Sequence, residues 1–139
     1  DRHAQHDCTN SRINDIFVIE DDYSNCLGYM RLDNYKESEI DLTHLETVPI
    51  YSHRNPRRKF KYIGESLITF LIGLAKRQNK KRIYIPYIMA DARDFYFKKC
   101  KFKSIGTIEN SKAELKNTNF LKLEKQNTFH TGTKIELIE

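Results

Sequence analysis

Glu46 and His44 stand two residues apart in the alternating run from Ile40 to Val48, which puts their side chains on one face of a β-strand. A carboxylate or an imidazole there can accept a proton, directly or through water. Farther along, Ala92 and Tyr96 lie one helical turn apart on one face, and a phenol there can donate a proton. Between them lies Lys59-Phe60-Lys61-Tyr62-Ile63-Gly64-Glu65-Ser66, a basic turn with a single glycine ahead of an apolar run. A helix start exposes unpaired N–H groups and the positive end of the macrodipole, which suits a phosphate. Five of the eight residues from Arg54 to Lys61 are cationic and add charge attraction. An anion grip, a base and an acid are thus all available. Each also has a plainer reading: a solvated basic loop, a strand glutamate facing solvent or paired with a cation, and a core aromatic.

These groups need a strand, a cationic loop and a helix in that order. Ile63, Leu67, Phe70, Leu71 and Leu74 recur at helical spacing, which predicts a helix from about Gly64 to Arg77, ended by the charged run Lys76–Arg82. Upstream, Ile16 to Glu20 and Cys26 to Leu32 read as strands joined by a turn at Asp21 to Asn25. In the strand from Ile40 to Val48 both faces carry mixed residues. Downstream, Arg82 to Met89 reads as a strand whose Pro86 points to an edge or bulge. Asp91 to Cys100 reads as a second helix with Asp91 as N-cap, and Phe102 to Ile108 as a strand. Glu109 to Asn119 reads as loop or short helix, and Phe120 to Glu124 and Thr133 to Ile138 as short strands. Strands flanking amphipathic helices after a hairpin predict an α/β (α+β) domain around a mixed, mostly antiparallel sheet.

The 139 residues suffice for one domain with one core, so 1–139 is taken as a single unit, with 1–14 flexible and 125–139 a C-terminal extension or extra strand. A net charge of +5 favours anionic partners such as nucleotide phosphates, nucleic acid or acidic substrates. Three scattered cysteines, Cys8, Cys26 and Cys100, with no signal peptide and no run able to span a bilayer, suggest a reducing cytoplasm. His3, His6 and Cys8 lie close together, but no second ligand cluster completes a metal site, and no metal is expected.

The run Lys59-x-x-x-x-Gly64-x-x-Leu67, followed by Ala92-x-x-Phe95-Tyr96-x-Lys98, resembles the GNAT superfamily of acyl-CoA-dependent N-acetyltransferases. His44-Leu45-Glu46-Thr47-Val48-Pro49 extends the likeness upstream, so that it runs from about Ile16 to Ile108. The resemblance implies acetyl-CoA as co-substrate, its pyrophosphate wrapped by Lys59, Phe60, Lys61, Tyr62, Ile63, Gly64, Glu65 and Ser66. It also implies pantetheine pairing with the backbone near Val48, whose N–H groups would polarise the thioester carbonyl. Glu46 would then be the base, with His44 the runner-up, and Tyr96 the acid. The acceptor would be a small-molecule or protein amine, attacked directly, since Cys100 has no obvious His partner.

The chain departs from the family pattern at several points. Tyr62 replaces the first glycine of the loop, Lys101 replaces the glycine before Phe102, and Met89 sits where many members have Asn. The interval from Tyr96 to Phe102 is one residue longer than usual, so Phe97 competes for the tyrosine position. Residues 1–14 leave no room for the usual first strand and its helices. That points to an unusual pocket, or to a homodimer in which another chain completes it. Two alternatives stand beside the enzyme: an acyl-CoA-binding protein of the same fold without activity, and a basic nucleic-acid-binding module.

Overall fold

Alternating apolar residues in the first third of the chain fold as an antiparallel meander of β1 (Asn14–Glu20), β2 (Cys26–Asp33) and β3 (Glu39–Thr47). The computed structural model describes residues 14–21, 23–33, 38–48, 60–122 and 136–137. The Asp21 carboxylate shapes the first turn by accepting from the N–H groups of Tyr23 and Asn25 at 2.8 and 2.9 Å. A two-residue strand, β4 (Phe60–Lys61), leads into helix α1 (Ile63–Arg77), and β5 (Arg82–Ile85) then lies parallel to β3. β6 (Lys103–Ser104) and β7 (Ala113–Lys116) complete a six-stranded sheet in the order β1-β2-β3-β5-β7-β6. Only the β3–β5 contact is parallel, so the sheet is mixed and mostly antiparallel, as expected. β8 (Glu136–Leu137) pairs with β4 in a separate two-stranded ribbon.

Helix α1 lies on the sheet face that carries Phe17, Gly28 and Met30. The Phe17 and Phe70 rings are 5.5 Å apart there, and Gly28 abuts Ile63. Its buried stripe is Ile63, Leu67, Ile68, Leu71, Ile72 and Ala75, packed on Met30, Leu32, Ile40, Leu42, Ile83 and Ile85. Each of these larger side chains contributes about 1.5–3 kcal/mol on leaving water. Phe70 is 42% exposed and sits at the rim, not at the centre of the stripe. The helix ends where Asn79 turns left-handed and Lys80 N–H bonds the Ala75 carbonyl.

A bulge explains the mixed faces of β3. Leu32 pairs with Leu42 but Arg31 with His44, so Thr43 is the extra residue, its hydroxyl donating to the Arg31 carbonyl. Ile40 and Leu42 point to α1 before the bulge and Leu45 after it. His44 and Glu46 therefore share the opposite face with Tyr29 and Arg31.

Several sequence expectations are corrected here. The strand from Arg82 stops at Ile85, because Pro86 cannot donate to a ladder. The strand expected over Phe102 to Ile108 shrinks to Lys103–Ser104. The stretch read as loop or short helix contains β7. Its Glu114 is buried because the Arg82 guanidinium bonds it at 2.8 Å, while Arg82 Nε reaches Glu39 of β3 at 2.7 Å. Residues 120–122, read as strand, are helical. Of Thr133 to Ile138, only Glu136–Leu137 is described, as a strand. Residues 1–13, with His3, His6 and Cys8, lie outside the described residues, as does the loop from His53 to Lys59.

Candidate active site

β3 and β5 are paired at one end only. Glu39, Ile40 and Asp41 face Arg82, Ile83 and Tyr84, and beyond them β3 runs on to Thr47 with no described strand on that side. The Arg82 clasp to Glu39 and Glu114 pins the closed end. The open end is a wedge between two strands at the carboxyl end of β3, the place where ligands enter sheets of this kind.

Backbone groups line the wedge. Val48 N–H donates to the Leu27 carbonyl at 3.0 Å, so by alternation along the strand the backbone groups of Leu45 and Thr47 face the open side. Of the N–H groups around Val48 expected to polarise a carbonyl, that of Val48 itself belongs to the sheet, while that of Thr47 faces the open side.

Helix α1 starts against the end of β3. A Cβ on Gly28 would stand 2.8 Å from Ile63 Cγ2 and 2.9 Å from the Glu46 carbonyl oxygen, so bare glycine lets the helix start settle on the strand. The first intrahelical bond runs from Ser66 N–H to the Tyr62 carbonyl at 2.9 Å. The N–H groups of Ile63, Gly64 and Glu65 have no acceptor among the described residues, which leaves three donors at the helix start. Gly64 has a different use from the one its position suggested. Its missing side chain makes room for the Phe95 ring, whose Cζ would lie 3.0 Å from a Cβ there. The Ile63 and Ser66 side chains are buried and the Ser66 N–H is already bonded, so of these two only Ile63 offers an N–H without an acceptor among the described residues. Glu65 brings a first-turn carboxylate, which favours the helix start itself. Phe60 and Lys61 pair with Leu137 and Glu136. Lys59 lies outside the described residues.

On the other face of β3, Glu46 pairs directly across from Tyr29. Tyr29 and His44 stack at 5.3 Å, and the Tyr29 hydroxyl is 3.2 Å from His44 Nε2. Sequence reasoning missed Tyr29. Its place opposite the base follows from strand register, which no local pattern announces.

Tyr96 sits in the core, edge-on to Phe95 and Phe102 at 5.1 and 6.3 Å. Burial, then the charge of Cys100, pushes its phenol well above the usual range, so it stays protonated at neutral pH. Burial and then Glu65 likewise push the Cys100 thiol up, which leaves no reactive thiolate.

The segment carrying Tyr96 is not the plain helix expected. A 3₁₀ turn at Ala90–Ala92, with Met89 and not Asp91 as its N-cap residue, leads into a π-helical turn at Phe95–Lys99. Cys100 N–H bonds the Phe95 carbonyl at 2.9 Å across that wider turn. A π turn absorbs one extra residue. It accounts for the long Tyr96-to-Phe102 interval while Tyr96, and not Phe97, is the buried ring.

No protein-family model matches the sequence, nor does any curated protein. Solved structures do match. An acetyltransferase of the GNAT family from Staphylococcus aureus Mu50 superposes with TM-score 0.60 at 19% identity, covering 81% of this chain and 73% of that one. Tetrahymena GCN5 gives 0.60 at 15% identity, covering 84% and 76%. A chimera of the spermidine N-acetyltransferase SpeG from Vibrio cholerae with hSSAT gives 0.63 at 13% identity, covering 86% and 79%. The chain has the GNAT acetyltransferase fold.

Within the GNAT fold, two departures from the motif now have a backbone meaning. Tyr62 (φ 67°) and Lys101 (φ 63°) are left-handed where the resembling motif has glycine, so the turns are kept without the residue that favours them. The basic runs are partly structural. Arg82 is held by two glutamates, Lys80 is buried, and Lys98 lies 3.5 Å from Asp94. Among the described residues no group of His, Cys, Asp or Glu is arranged to hold a metal ion, and no helix is long and apolar enough to cross a membrane.

Proposed function

We propose that the protein is an N-acetyltransferase that moves an acetyl group from acetyl-CoA to a primary amine by direct attack. The wedge between β3 and β5 carries this reading. The N–H donors of the α1 start lie on one face of it and Glu46 on the other, so a long anionic ligand threaded through would present its far end to a carboxylate. Ile63, Gly64 and Glu65 N–H, with Lys59, Phe60, Lys61, Tyr62 and Ser66 around them, would hold the diphosphate of acetyl-CoA. The backbone of Leu45, Thr47 and Val48 would flank its pantetheine arm, and the co-substrate would supply an activated thioester.

Glu46 takes the proton from the amine nitrogen, and Tyr96 returns one to the departing sulfur. The acceptor is a small-molecule or protein amine. Spermidine, named for the SpeG relatives, is one candidate class. We place the protein in a reducing cytoplasm, where Cys26 and Cys100, both free, remain thiols, and a homodimer sharing sheet edges fits the outer strands β1 and β6.

Thermal shift with acetyl-CoA and thiol release with an amine panel test this reading. Acetyl-CoA should raise Tm through linkage, and at least one amine should release free CoA thiol. Gly64→Glu, checked for intact fold by circular dichroism, should lose the acetyl-CoA shift. A wild-type protein whose Tm ignores acetyl-CoA would sink the assignment, and a salt-sensitive gel shift with oligonucleotides would then support the nucleic-acid alternative. A shift without thiol release would point to an acyl-CoA-binding protein lacking catalysis.

A further inference from the structure

We propose that Tyr29 and His44 form a donor chain that positions the Glu46 carboxylate for proton abstraction. The inference rests on reading Glu46 as the base. Tyr29 stands directly across the β2–β3 ladder from Glu46, within hydrogen-bond reach, and its hydroxyl is also 3.2 Å from His44 Nε2. A phenol has one proton. If it donates to the ionised carboxylate, which only accepts, its oxygen must accept from His44 Nε2–H. The order His44 to Tyr29 to Glu46 follows, and it fixes the His44 tautomer as the one protonated at Nε2.

Tyr29 is half-buried while His44 and Glu46 are exposed, and three observations set this cluster apart from a chance surface contact. The bulge at Thr43 turns His44 and Glu46 onto the Tyr29 face together, and bulges re-aim side chains at a cost to the ladder. The two rings stack 15° from parallel, which restricts the His44 imidazole. The neighbouring cation, Arg31, lies 3.5 Å from Asp33, which gives it a partner other than Glu46. Burial first, then the hydrogen bond and charge of Glu46 and the charge of Cys26, pushes the Tyr29 phenol up to about 12, so it remains a donor at neutral pH.

The test combines steady-state kinetics with tyrosine ¹³Cζ NMR on the full chain. Tyr29→Phe should lower kcat roughly 10-fold and leave the KM for acetyl-CoA unchanged, because positioning of a general base is lost but co-substrate binding is not. His44→Gln keeps an amide donor and should retain most of kcat, whereas His44→Leu should fall with Tyr29→Phe. In Glu46→Gln the Tyr29 resonance should titrate at lower pH than in wild type, a readout independent of turnover. An active wild type whose Tyr29→Phe and His44→Leu forms keep full kcat overturns this inference alone. A Tyr29 titration indifferent to Glu46→Gln does the same. A wild type that transfers no acetyl group overturns the reading of Glu46 as base, and this inference with it.

Discussion

Gly28→Ala probes the joint on which the wedge depends. The added methyl would stand 2.8 Å from Ile63 Cγ2, 2.9 Å from the Glu46 carbonyl oxygen and 3.5 Å from Thr47 Cα. Carbon atoms in contact sit about 3.5–4.0 Å apart, so Ile63 would have to retreat by roughly 0.7 Å or more. Neither neighbour yields readily. Ile63 is 2% exposed in the first turn of α1, and Glu46 is fixed in the ladder opposite Tyr29. Overpacking of this kind costs about 1–3 kcal/mol. Against it stands the smaller conformational freedom of alanine in the unfolded chain, about 0.4–1 kcal/mol. The net expectation is about 1–2 kcal/mol of destabilisation, or roughly 3–7 °C in Tm for a chain of this size. Urea unfolding reads it directly, and the acetyl-CoA-induced rise in Tm should shrink too, because the helix start is lifted from the strand end. Ile63→Ala removes the offending Cγ2, so in a double-mutant cycle the pair should be less damaging than the two single changes added together. A more stable Gly28→Ala protein would show that the methyl finds room, and the seating of α1 on β3 described above would be wrong.

Two further substitutions test other parts of the site. Lys101 is exposed and left-handed (φ 63°), a conformation that costs a non-glycine residue about 1–2 kcal/mol against roughly 0.5–1 kcal/mol for the extra unfolded-state freedom of glycine. Lys101→Gly should therefore gain about 0.5–1 kcal/mol in urea unfolding, and a loss would mean that the lysine side chain contributes more than its backbone strain. Tyr96→Phe should slow thiol release by about 100-fold or more while leaving the acetyl-CoA shift intact. Unchanged turnover would remove Tyr96 as the acid, and a large loss of stability would reveal a hydroxyl partner that the described residues do not include.

The parts legible in the sequence were those whose signal is local. Helix α1 announced itself through Leu67, Leu71 and their neighbours at helical spacing, the β1–β2 hairpin through Asp21 and Asn25, and the order strand–loop–helix–strand through the position of Gly64. β7 was hidden because its burial depends on a distant partner. Glu114 reads as surface until Arg82, thirty-two residues back in sequence, is seen beside it. The same holds for the chemistry. Glu46 and His44 could be named as candidates from alternation, but the face they share was set by an extra residue at Thr43 that only pairing with β2 exposes.

Glycine shows the limit most clearly. Counting glycines marked two departures from the motif, Tyr62 in the anion loop and Lys101 ahead of Phe102. The backbone is left-handed at both positions regardless, and the absent side chain of Gly64 makes room for the Phe95 ring. What a phosphate would meet at this helix start is therefore decided by which N–H groups lack an acceptor, and that property depends on where the helix begins more than on which residues begin it. Because Ser66 N–H already closes on the Tyr62 carbonyl, the donors left without an acceptor among the described residues are those of Ile63, Gly64 and Glu65, so side-chain replacements that preserve the Tyr62 turn and bring neither bulk nor negative charge to these N–H groups should leave the anion grip in place.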